Sequence, residues 1–429
     1  MRTYFSTLGC KVNAVETDSM AALLRSHGYE IAETPENAHI IVLNSCTVTA
    51  SGDARMRTLL RKLRAAAPDA VIVLTGCYVQ AFPEDAAALP EADILLGTRH
   101  RALLPALLEQ YFTHPTRLIS VEDFAAGDAF EPLPQGTDAA HTRAFLKIQD
   151  GCDRFCTYCI IPFARGRCRS RSPESIREEA AALFEKGFRE VVLCGINLAC
   201  WGQGTALDLA DAVKLCADAG FPRVRLGSLE PDGLTPTVLD NLALIPALCP
   251  QFHISVQSGC DRTLAAMHRH YTTAEFAALL QAIRKRFPGA AVTTDLMVGF
   301  PGETDEDFAE TVQFAKEMAF SQMHLFRYSP RPGTKAAAYP GQVPESVKKA
   351  RADVLSALAG QMQQDFLQGC VGQELQVLFE RERGDGFHRG HAENYALVCV
   401  PDTDGSDWRG TICPVHITGT AQGRLLGIP

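Results

Sequence analysis

Short apolar runs rich in β-branched residues alternate with helical patterns along most of this 429-residue chain. The runs at residues 40–44 and 71–75 resemble strands that are buried on both faces of a parallel sheet. Residues 13–27 carry apolar side chains at helical spacing, and Gly28 follows as a C-cap. Strands that alternate with helices in this way favour an α/β fold with parallel strands.

This alternation changes along the chain, and the changes predict three domains. Residues 1–125 form an open parallel α/β sheet, and a polar linker rich in Pro and Gly covers residues 126–141. Residues 142–362 form a partial (β/α)6 barrel resembling a TIM barrel, with its site at the carboxyl ends of the strands. Residues 363–429 form a small antiparallel β-barrel. The six barrel strands are predicted at 144–149, 190–194, 223–227, 252–256, 291–297 and 322–327.

Composition restricts the compartment and the partners. No apolar stretch is long enough to span a bilayer, and the first residues lack the apolar core of a signal peptide, so we expect a cytoplasmic protein without a membrane partner. In a reducing compartment the fifteen cysteines favour metal ligands or reactive thiols over disulfides. The formal net charge of −9 excludes a global basic field for nucleic acid, so RNA binding would depend on local patches.

Three cysteines lie in one tight loop after the first predicted barrel strand. Cys152, Cys156 and Cys159 have CxxxCxxC spacing, which can hold three irons of a cubane cluster and leave the fourth iron open. A structural zinc site is the alternative, and it normally takes four ligands. Cys168 could complete a four-ligand site, but the arginines on both sides of it indicate a loop that faces an anion.

A second group of cysteines is dispersed in the N-terminal domain. Cys10, Cys46 and Cys77 each lie just beyond a predicted parallel strand. Carboxyl ends of parallel strands line one edge of a sheet, where ligands bind, so these cysteines could converge. Each alone would be an ordinary buried thiol, whereas three equivalent placements favour a metal site.

The CxxxCxxC loop, with Tyr158 before its last cysteine, resembles the radical S-adenosylmethionine superfamily. The resemblance implies that an open iron binds the amino and carboxylate groups of S-adenosylmethionine. One electron from the cluster then cleaves the sulfonium and yields a 5′-deoxyadenosyl radical. The aromatic ring of Tyr158 fits stacking against the purine.

Over essentially the whole chain, further motifs resemble the methylthiotransferase family. They are TLGCKVN (7–13), NSCTV (44–48), TGC (75–77), IIPFARG (160–166), QSG (257–259), MHRHY (267–271), VGFPGET (298–304), YSPRPGT (328–334) and HAENY (391–395). The resemblance implies that Cys10, Cys46 and Cys77 hold a second [4Fe-4S] cluster and that the C-terminal barrel is a TRAM domain.

Family members attach a methylthio group to an unactivated carbon. GCKVN and IIPFARG most resemble the branch that converts N6-threonylcarbamoyladenosine (t6A) at tRNA position 37 to 2-methylthio-t6A. N6-isopentenyladenosine in tRNA and a ribosomal-protein aspartate are the alternative substrates. The alternative of a different class is a non-catalytic, zinc-bearing RNA-binding protein. A further alternative keeps the radical chemistry but gives the N-terminal cysteines only a structural or electron-relay role.

Residues at or near strand ends and beside the cluster are predicted to contact S-adenosylmethionine: Tyr158, Gly195, Asn197, Ser228, Glu230, Gln257 and Asp295. Ordinary turn or strand-end roles are the alternative for these residues. Basic residues near the two cysteine groups, together with Arg269, are predicted to contact RNA: Arg55, Arg57, Arg61, Arg165, Arg167, Arg169 and Arg269. The alternative is that these basic residues only form a solvent-exposed face of the protein, as a run of charges usually does.

The C-terminal domain lacks the excess of basic residues that would bind RNA by charge alone. Residues 367–429 contain five arginines and no lysine against eight acidic residues, so shape and hydrogen bonding would have to recognise RNA there. We expect a monomer that acts on the tRNA anticodon stem-loop with S-adenosylmethionine, an electron donor and a sulfur source. The sequence identifies neither the electron donor nor the sulfur source.

Overall fold

Six parallel strands form the sheet of the N-terminal domain in a computed structural model, which describes residues 1–125, 127–134, 136, 141–381, 386–403 and 405–429. The strands are β1 (Arg2–Thr7), β2 (Glu30–Ile31), β3 (Ile40–Ser45), β4 (Val71–Gly76), β5 (Ile94–Leu96) and β6 (Leu118–Ser120). Their spatial order is β2-β1-β3-β4-β5-β6. The helices are α1 (Lys11–Ser26), α2 (Ala50–Ala66), α3 (Cys77–Ala81), α4 (Pro83–Ala87) and α5 (Leu104–Thr113).

Alternate side chains of the central strands β3 and β4 pack on opposite faces of this sheet. Ile41 and Ile72 pack in the core that includes Met56 of α2. Ile40 and Val71 pack in the core that includes Met20 of α1. Every residue of β3 and β4 is buried, which explains why both strands are continuously apolar over most of their length.

Six parallel strand positions of the central region confirm the predicted partial barrel. The first part contains β7 (Ala144–Lys147), β8 (Gln149–Asp150), α6 (Ile161–Arg165), β9 (Arg169–Ser170), α7 (Pro173–Glu185), β10 (Glu190–Cys194), α8 (Leu209–Asp218), β11 (Arg223–Leu226) and β12 (Ser228–Leu229). The second part contains α9 (Pro236–Ala243), β13 (Gln251–Ile254), α10 (Asp261–Ala266), α11 (Thr273–Arg286), β14 (Ala291–Val298), α12 (Asp305–Met318), β15 (Gln322–Arg327) and α13 (Glu345–Gly369). Short 3₁₀ helices cover Pro35–Asn37, Arg101–Leu103, Leu198–Cys200, Pro231–Gly233 and Lys335–Ala338.

The barrel strands pair in sequence order. Parallel pairing joins β11-β10-β7 and β12-β13-β14-β15, and the third predicted strand is divided into β11 and β12 at Gly227. The small antiparallel pair β8-β9 lies outside this series. Aliphatic and aromatic side chains from the strands and the surrounding helices form one large core.

A closed barrel of five strands ends the chain, in the order β16-β17-β18-β20-β19. The strands are β16 (Glu374–Phe379), β17 (Phe387–Ala392), β18 (Leu397–Pro401), β19 (Ile412–Ala421) and β20 (Arg424–Ile428). The expectation of a wholly antiparallel barrel is corrected in one place, because β18 and β20 pair in parallel. This pairing follows from the long hairpin of β19 and β20, which brings β20 back beside β18.

The contacts between residues divide the chain into two compact units. Unit 1 contains residues 1–138, 149–171 and 329–337, and unit 2 contains residues 139–148, 172–328 and 338–429. The CxxxCxxC loop therefore packs in the N-terminal unit, whereas the predicted division assigned it to the barrel domain.

The predicted domain boundaries fall on two different kinds of segment. The boundary between residues 362 and 363 lies inside α13. Of the predicted linker 126–141, residues 126, 135 and 137–140 lie outside the described residues, and the others have no helix or strand. None of the helices described has the length and apolarity needed to cross a membrane.

A buried ionic group lies where the HAENY segment packs in unit 2. Glu190 is fully buried and pairs with Arg223 at 2.7 Å and with Arg225 at 2.9 Å. Burial alone would raise the pKa of Glu190, but these two guanidinium groups lower it below its ordinary value. Both arginines also donate to the backbone carbonyl of Ala392, so this group fixes the C-terminal barrel.

Glu190→Gln is expected to lower the free energy of unfolding by about 3 kcal/mol, because two buried guanidinium groups would lose their carboxylate. Denaturant unfolding measures the loss. Lys214→Ala removes an exposed ion pair with Asp218 and is the matched control, with an effect below about 0.5 kcal/mol. Equal stability of the two variants would contradict the structural role of Glu190.

Candidate functional site

The three N-terminal cysteines lie at the carboxyl ends of adjacent strands. Cys10 is the N-cap of α1, Cys46 follows β3, and Cys77 opens α3 directly after β4. Since β1 pairs with β3 and β3 with β4, the three positions share one edge of the sheet.

Two glycines allow the backbones of this edge to approach closely. A Cβ at Gly9 would lie 2.9 Å from the Cβ of Cys46, and a Cβ at Gly76 would overlap the backbone of Ser45. Both glycines have positive φ values, +138° and +103°, which side-chain-bearing residues rarely adopt.

The thiols of the three N-terminal cysteines also interact electrostatically. Burial raises the pKa of Cys77 to about 12, Arg165 opposes this rise, and Cys46 and Cys10 add to it.

The donor set of this edge fits a cluster better than a single ion. Among the residues that the structure describes, no three His, Cys, Asp or Glu side chains meet closely enough to hold one metal ion. A cubane binds each thiolate through a different iron, so it accepts a wider group of ligands. Cys10, Cys46 and Cys77 are free thiols on one edge, which fits three ligands of such a cluster.

The second group of cysteines lies on the loop between β8 and α6. Cys156 is buried, whereas Cys152 and Cys159 are partly exposed. The backbone N–H of Cys159 donates to the carbonyl of Cys156 at 2.9 Å, and that of Cys152 donates to Gly166 at 3.0 Å. These turns hold three cysteines on one short loop, which fits three cluster ligands and one open iron.

Arg165, which was predicted to contact RNA, is instead buried between the two groups of cysteines. Its side chain has 0% exposure, so the RNA prediction is wrong for this residue. The guanidinium pairs with Glu16 of α1 at 2.8 Å, and its Nε donates to Sγ of Cys77 at 3.2 Å. The helix α6 follows the CxxxCxxC loop and ends at Arg165, so it places this guanidinium beside the N-terminal cysteines.

A second buried arginine holds the loop after Cys46. Arg331 donates from Nη2 to Thr47 and to Asp53, at 2.6 Å in each case. In the same segment, the backbone N–H of Ala336 donates to the carbonyl of Thr157 in the CxxxCxxC loop at 2.8 Å. Residues 329–337 thus connect both cysteine groups of unit 1.

The other residues predicted to contact RNA differ in how exposed their side chains are. Arg55, Arg61 and Arg167 are exposed, and the side chain of Arg167 retains 67% of its accessible surface. Arg57 donates to the hydroxyl of Tyr78 at 2.8 Å. Arg169 lies over the ring of Phe124 and pairs with an acid of β8.

Arg269 is the second arginine for which the RNA prediction is wrong. Its side chain is 3% exposed and pairs with Glu230 at 2.5 Å. Its Nε also donates to the hydroxyl of Tyr271 at 2.9 Å. Arg269 therefore orients a carboxylate at a strand end instead of meeting solvent.

The predicted S-adenosylmethionine contacts of unit 2 lie in or just after four parallel strands. Gly195 and Asn197 follow β10, Ser228 begins the short strand β12, Glu230 follows it, and Gln257 follows β13. Ser228 is exposed, whereas Asn197 is buried and donates to Sγ of Cys200 at 3.0 Å.

Asp295 lies within β14 and accepts hydrogen bonds at its carboxylate. Ser255 donates to it at 2.7 Å, and His253 lies 3.2 Å away. Burial would raise the pKa of Asp295, but the hydrogen bond to His253 lowers it below its ordinary value. The backbone N–H of Gln257, at φ +70°, donates to the carbonyl of Asp295 at 2.9 Å.

Tyr158, the predicted S-adenosylmethionine contact in unit 1, is partly exposed on the CxxxCxxC loop.

Sequence reasoning missed two buried polar residues near the N-terminal cysteines. Glu16 and Thr17 are buried in the first half of α1, on a helix predicted from its apolar residues alone. The signal was present, because polar side chains that interrupt the buried face of a helix mark a functional or strained site.

Two family models match the chain. One, described as the radical SAM superfamily, covers residues 146–315, and the other, described as uncharacterized protein family UPF0004, covers residues 2–97. The fold is also similar to TsrM, a radical S-adenosylmethionine methyltransferase from Kitasatospora setae, in a structure with cobalamin and a [4Fe-4S] cluster bound. The TM-score is 0.58 at 14% identity, over 90% of this chain and 77% of that chain.

Similarity to curated proteins extends over nearly the whole sequence. Threonylcarbamoyladenosine tRNA methylthiotransferase MtaB of Bacillus subtilis is 38% identical over 96% of this chain and 93% of that protein. MtaB of Thermotoga maritima is 37% identical over 91% of this chain and 89% of that protein. The tRNA-2-methylthio-N(6)-dimethylallyladenosine synthase of Pelotomaculum thermopropionicum is 35% identical over 98% of this chain and 96% of that protein. With such relatives along its full length, the chain belongs to the methylthiotransferase family of radical S-adenosylmethionine enzymes.

Proposed function

We propose that this protein is a tRNA methylthiotransferase that converts t6A at position 37 to 2-methylthio-t6A. The observation that carries the proposal is the presence of both cysteine groups in one compact unit, with Arg165 between them. The similarity to three MtaB proteins at 35 to 38% identity supports the choice of t6A. The substrate would be the anticodon stem-loop of a cytoplasmic tRNA.

The reaction needs more than side-chain acids and bases, because the C2–H of adenine is too weakly acidic for any side-chain base. The CxxxCxxC cysteines would hold a [4Fe-4S] cluster, and the N-terminal cysteines a second one. When bound, the cluster of the CxxxCxxC loop would transfer the electron that cleaves S-adenosylmethionine, and the N-terminal cluster would present the sulfur that is transferred.

The protein's own residues would position these groups and exclude water. Cys77, Arg165 and Glu16 are almost fully buried, so the side of the N-terminal site that they form is dry. For S-adenosylmethionine, we propose contacts with Tyr158 in the loop and with residues that lie in or just after the barrel strands. These are Gly195, Asn197, Ser228, Glu230, Gln257 and Asp295.

Exposed residues around the two cysteine groups would contact the tRNA. Arg55 and Arg61 lie on α2, which follows Cys46, and Arg167 follows α6. Phe163 of α6 is 52% exposed, and an exposed aromatic ring can stack on an unpaired base of an RNA loop. The guanidinium of Arg167 lies 4.7 Å from the ring of Phe155, beside this surface.

N6-isopentenyladenosine is the second candidate substrate, because relatives named as dimethylallyladenosine synthases are also 35% identical to the chain over nearly its full length.

Nucleoside mass spectrometry of tRNA tests the proposed reaction and substrate. Cells without this gene are expected to lose 2-methylthio-t6A and to accumulate t6A, and a plasmid copy of the gene should restore the product. Loss of the methylthio derivative of isopentenyladenosine instead would assign the chain to the other tRNA branch. An unchanged nucleoside profile would contradict a tRNA substrate.

Replacing each cysteine group by alanine tests the two proposed clusters. In anaerobically reconstituted protein, each triple variant should lose about half of the iron, since each group would hold one cubane. Cys152/Cys156/Cys159→Ala should abolish cleavage of S-adenosylmethionine. Cys10/Cys46/Cys77→Ala should retain cleavage and lose the methylthio product. Full iron in either variant, or product formation by the second variant, would contradict the assignment.

Binding of an anticodon stem-loop at several salt concentrations tests the proposed RNA surface. Arg55/Arg61/Arg167→Gln should lower the slope of log K against log salt by about 0.7 for each lost phosphate contact. Phe163→Ala should weaken binding about tenfold at an unchanged slope, since stacking is worth about 1–3 kcal/mol per base. Lys214→Gln, exposed on α8, is the control. Equal affinity of all variants would remove this surface from the proposal.

A further inference from the structure

Every N–H group of the buried Arg165 guanidinium has an acceptor. Besides the bond from Nε to Cys77, Nη1 donates to Glu16 and to Asp150, at 2.8 and 3.1 Å. Nη2 donates to Asn13 at 2.8 Å and to the second carboxylate oxygen of Glu16 at 2.9 Å. A lysine could not reproduce this arrangement, because its three donors leave from a single nitrogen.

The two carboxylates that accept from Arg165 also pair with other arginines. Glu16 is shared between Arg165 and Arg101, which lies 2.9 Å from it. Asp150 is shared between Arg165 and Arg169, at 3.1 and 3.6 Å. The sulfur of Cys77 and the amide oxygen of Asn13 are the other two acceptors on Arg165.

The same residues join Arg165 to the CxxxCxxC loop. Asp150, which accepts from Arg165, also accepts from the backbone N–H of Gly151 at 2.8 Å, directly before Cys152. On the other side, Gly166 accepts from the N–H of Cys152. Arg165 is thus fixed by the backbone around Cys152 while its side chain holds Cys77.

We propose that Arg165 is a positioning residue that orients Cys77 as a cluster ligand through the bond from Nε to Sγ and raises the reduction potential of the cluster bound by Cys10, Cys46 and Cys77. The inference rests on the proposed function, since it requires a cluster at these cysteines. A hydrogen bond and a positive charge at a ligand sulfur stabilise the reduced, more negative state of a cluster, and outer partners of ligands also strengthen metal binding.

The test uses the full chain with Cys152/Cys156/Cys159→Ala, so that only the N-terminal cluster remains. Reductive titration followed by electron paramagnetic resonance measures its potential, and transfer of iron to a chelator measures its retention. Arg165→Gln is expected to shift the potential downward and to accelerate iron release about tenfold or more. Arg165→Lys, which keeps the charge, should shift the potential less.

Arg101→Gln is the matched control, because it removes an equally buried cation from Glu16 without touching a thiol. It should shift the potential much less than Arg165→Gln does, even if it lowers the melting temperature. An unchanged potential in both Arg165 variants, or an equal shift in Arg101→Gln, would overturn this inference and leave the proposed function standing. A parent chain without iron at the N-terminal cysteines would overturn both.

Discussion

The burial of the Arg165 guanidinium against Glu16 is the interaction on which unit 1 depends. Each of the two charges lies in a dry environment, where an unpaired ion would cost several kcal/mol. The pair is therefore stable only when α1 and the end of α6 meet. The cysteines at the start of α1 and in the loop before α6 are brought into one unit by the same contact.

Much of the fold could be predicted from local patterns, because each pattern has one dominant physical cause. Continuous β-branched runs predicted β3 and β4, since a sheet covered on both faces leaves no polar side to its strands. The common sheet edge of Cys10, Cys46 and Cys77 could be predicted from their position after parallel strands. The reaction was inferred from the family motifs, because the spacing of apolar residues does not indicate a reaction.

The surroundings of the charged residues could not be predicted in this way. Arg165 contacts Glu16 across 149 positions of sequence, so its burial depends on tertiary packing and leaves no local trace. Arg269, on the MHRHY motif, was assigned to RNA for the same reason, although Glu230 neutralises it. The parallel pairing of β18 with β20 was missed because strand direction within a barrel is set by distant partners.

The long sequence separation between Asp53 and Arg331 has a consequence for synthesis of the protein. Asp53 is nearly buried, and its guanidinium partner is 278 residues later in the chain. The ribosome must therefore translate most of the barrel before the environment around Cys46 can close. Until then the N-terminal thiols lack part of their final surroundings. Maturation of this edge of the sheet is consequently a late event, although its cysteines are among the first residues to emerge.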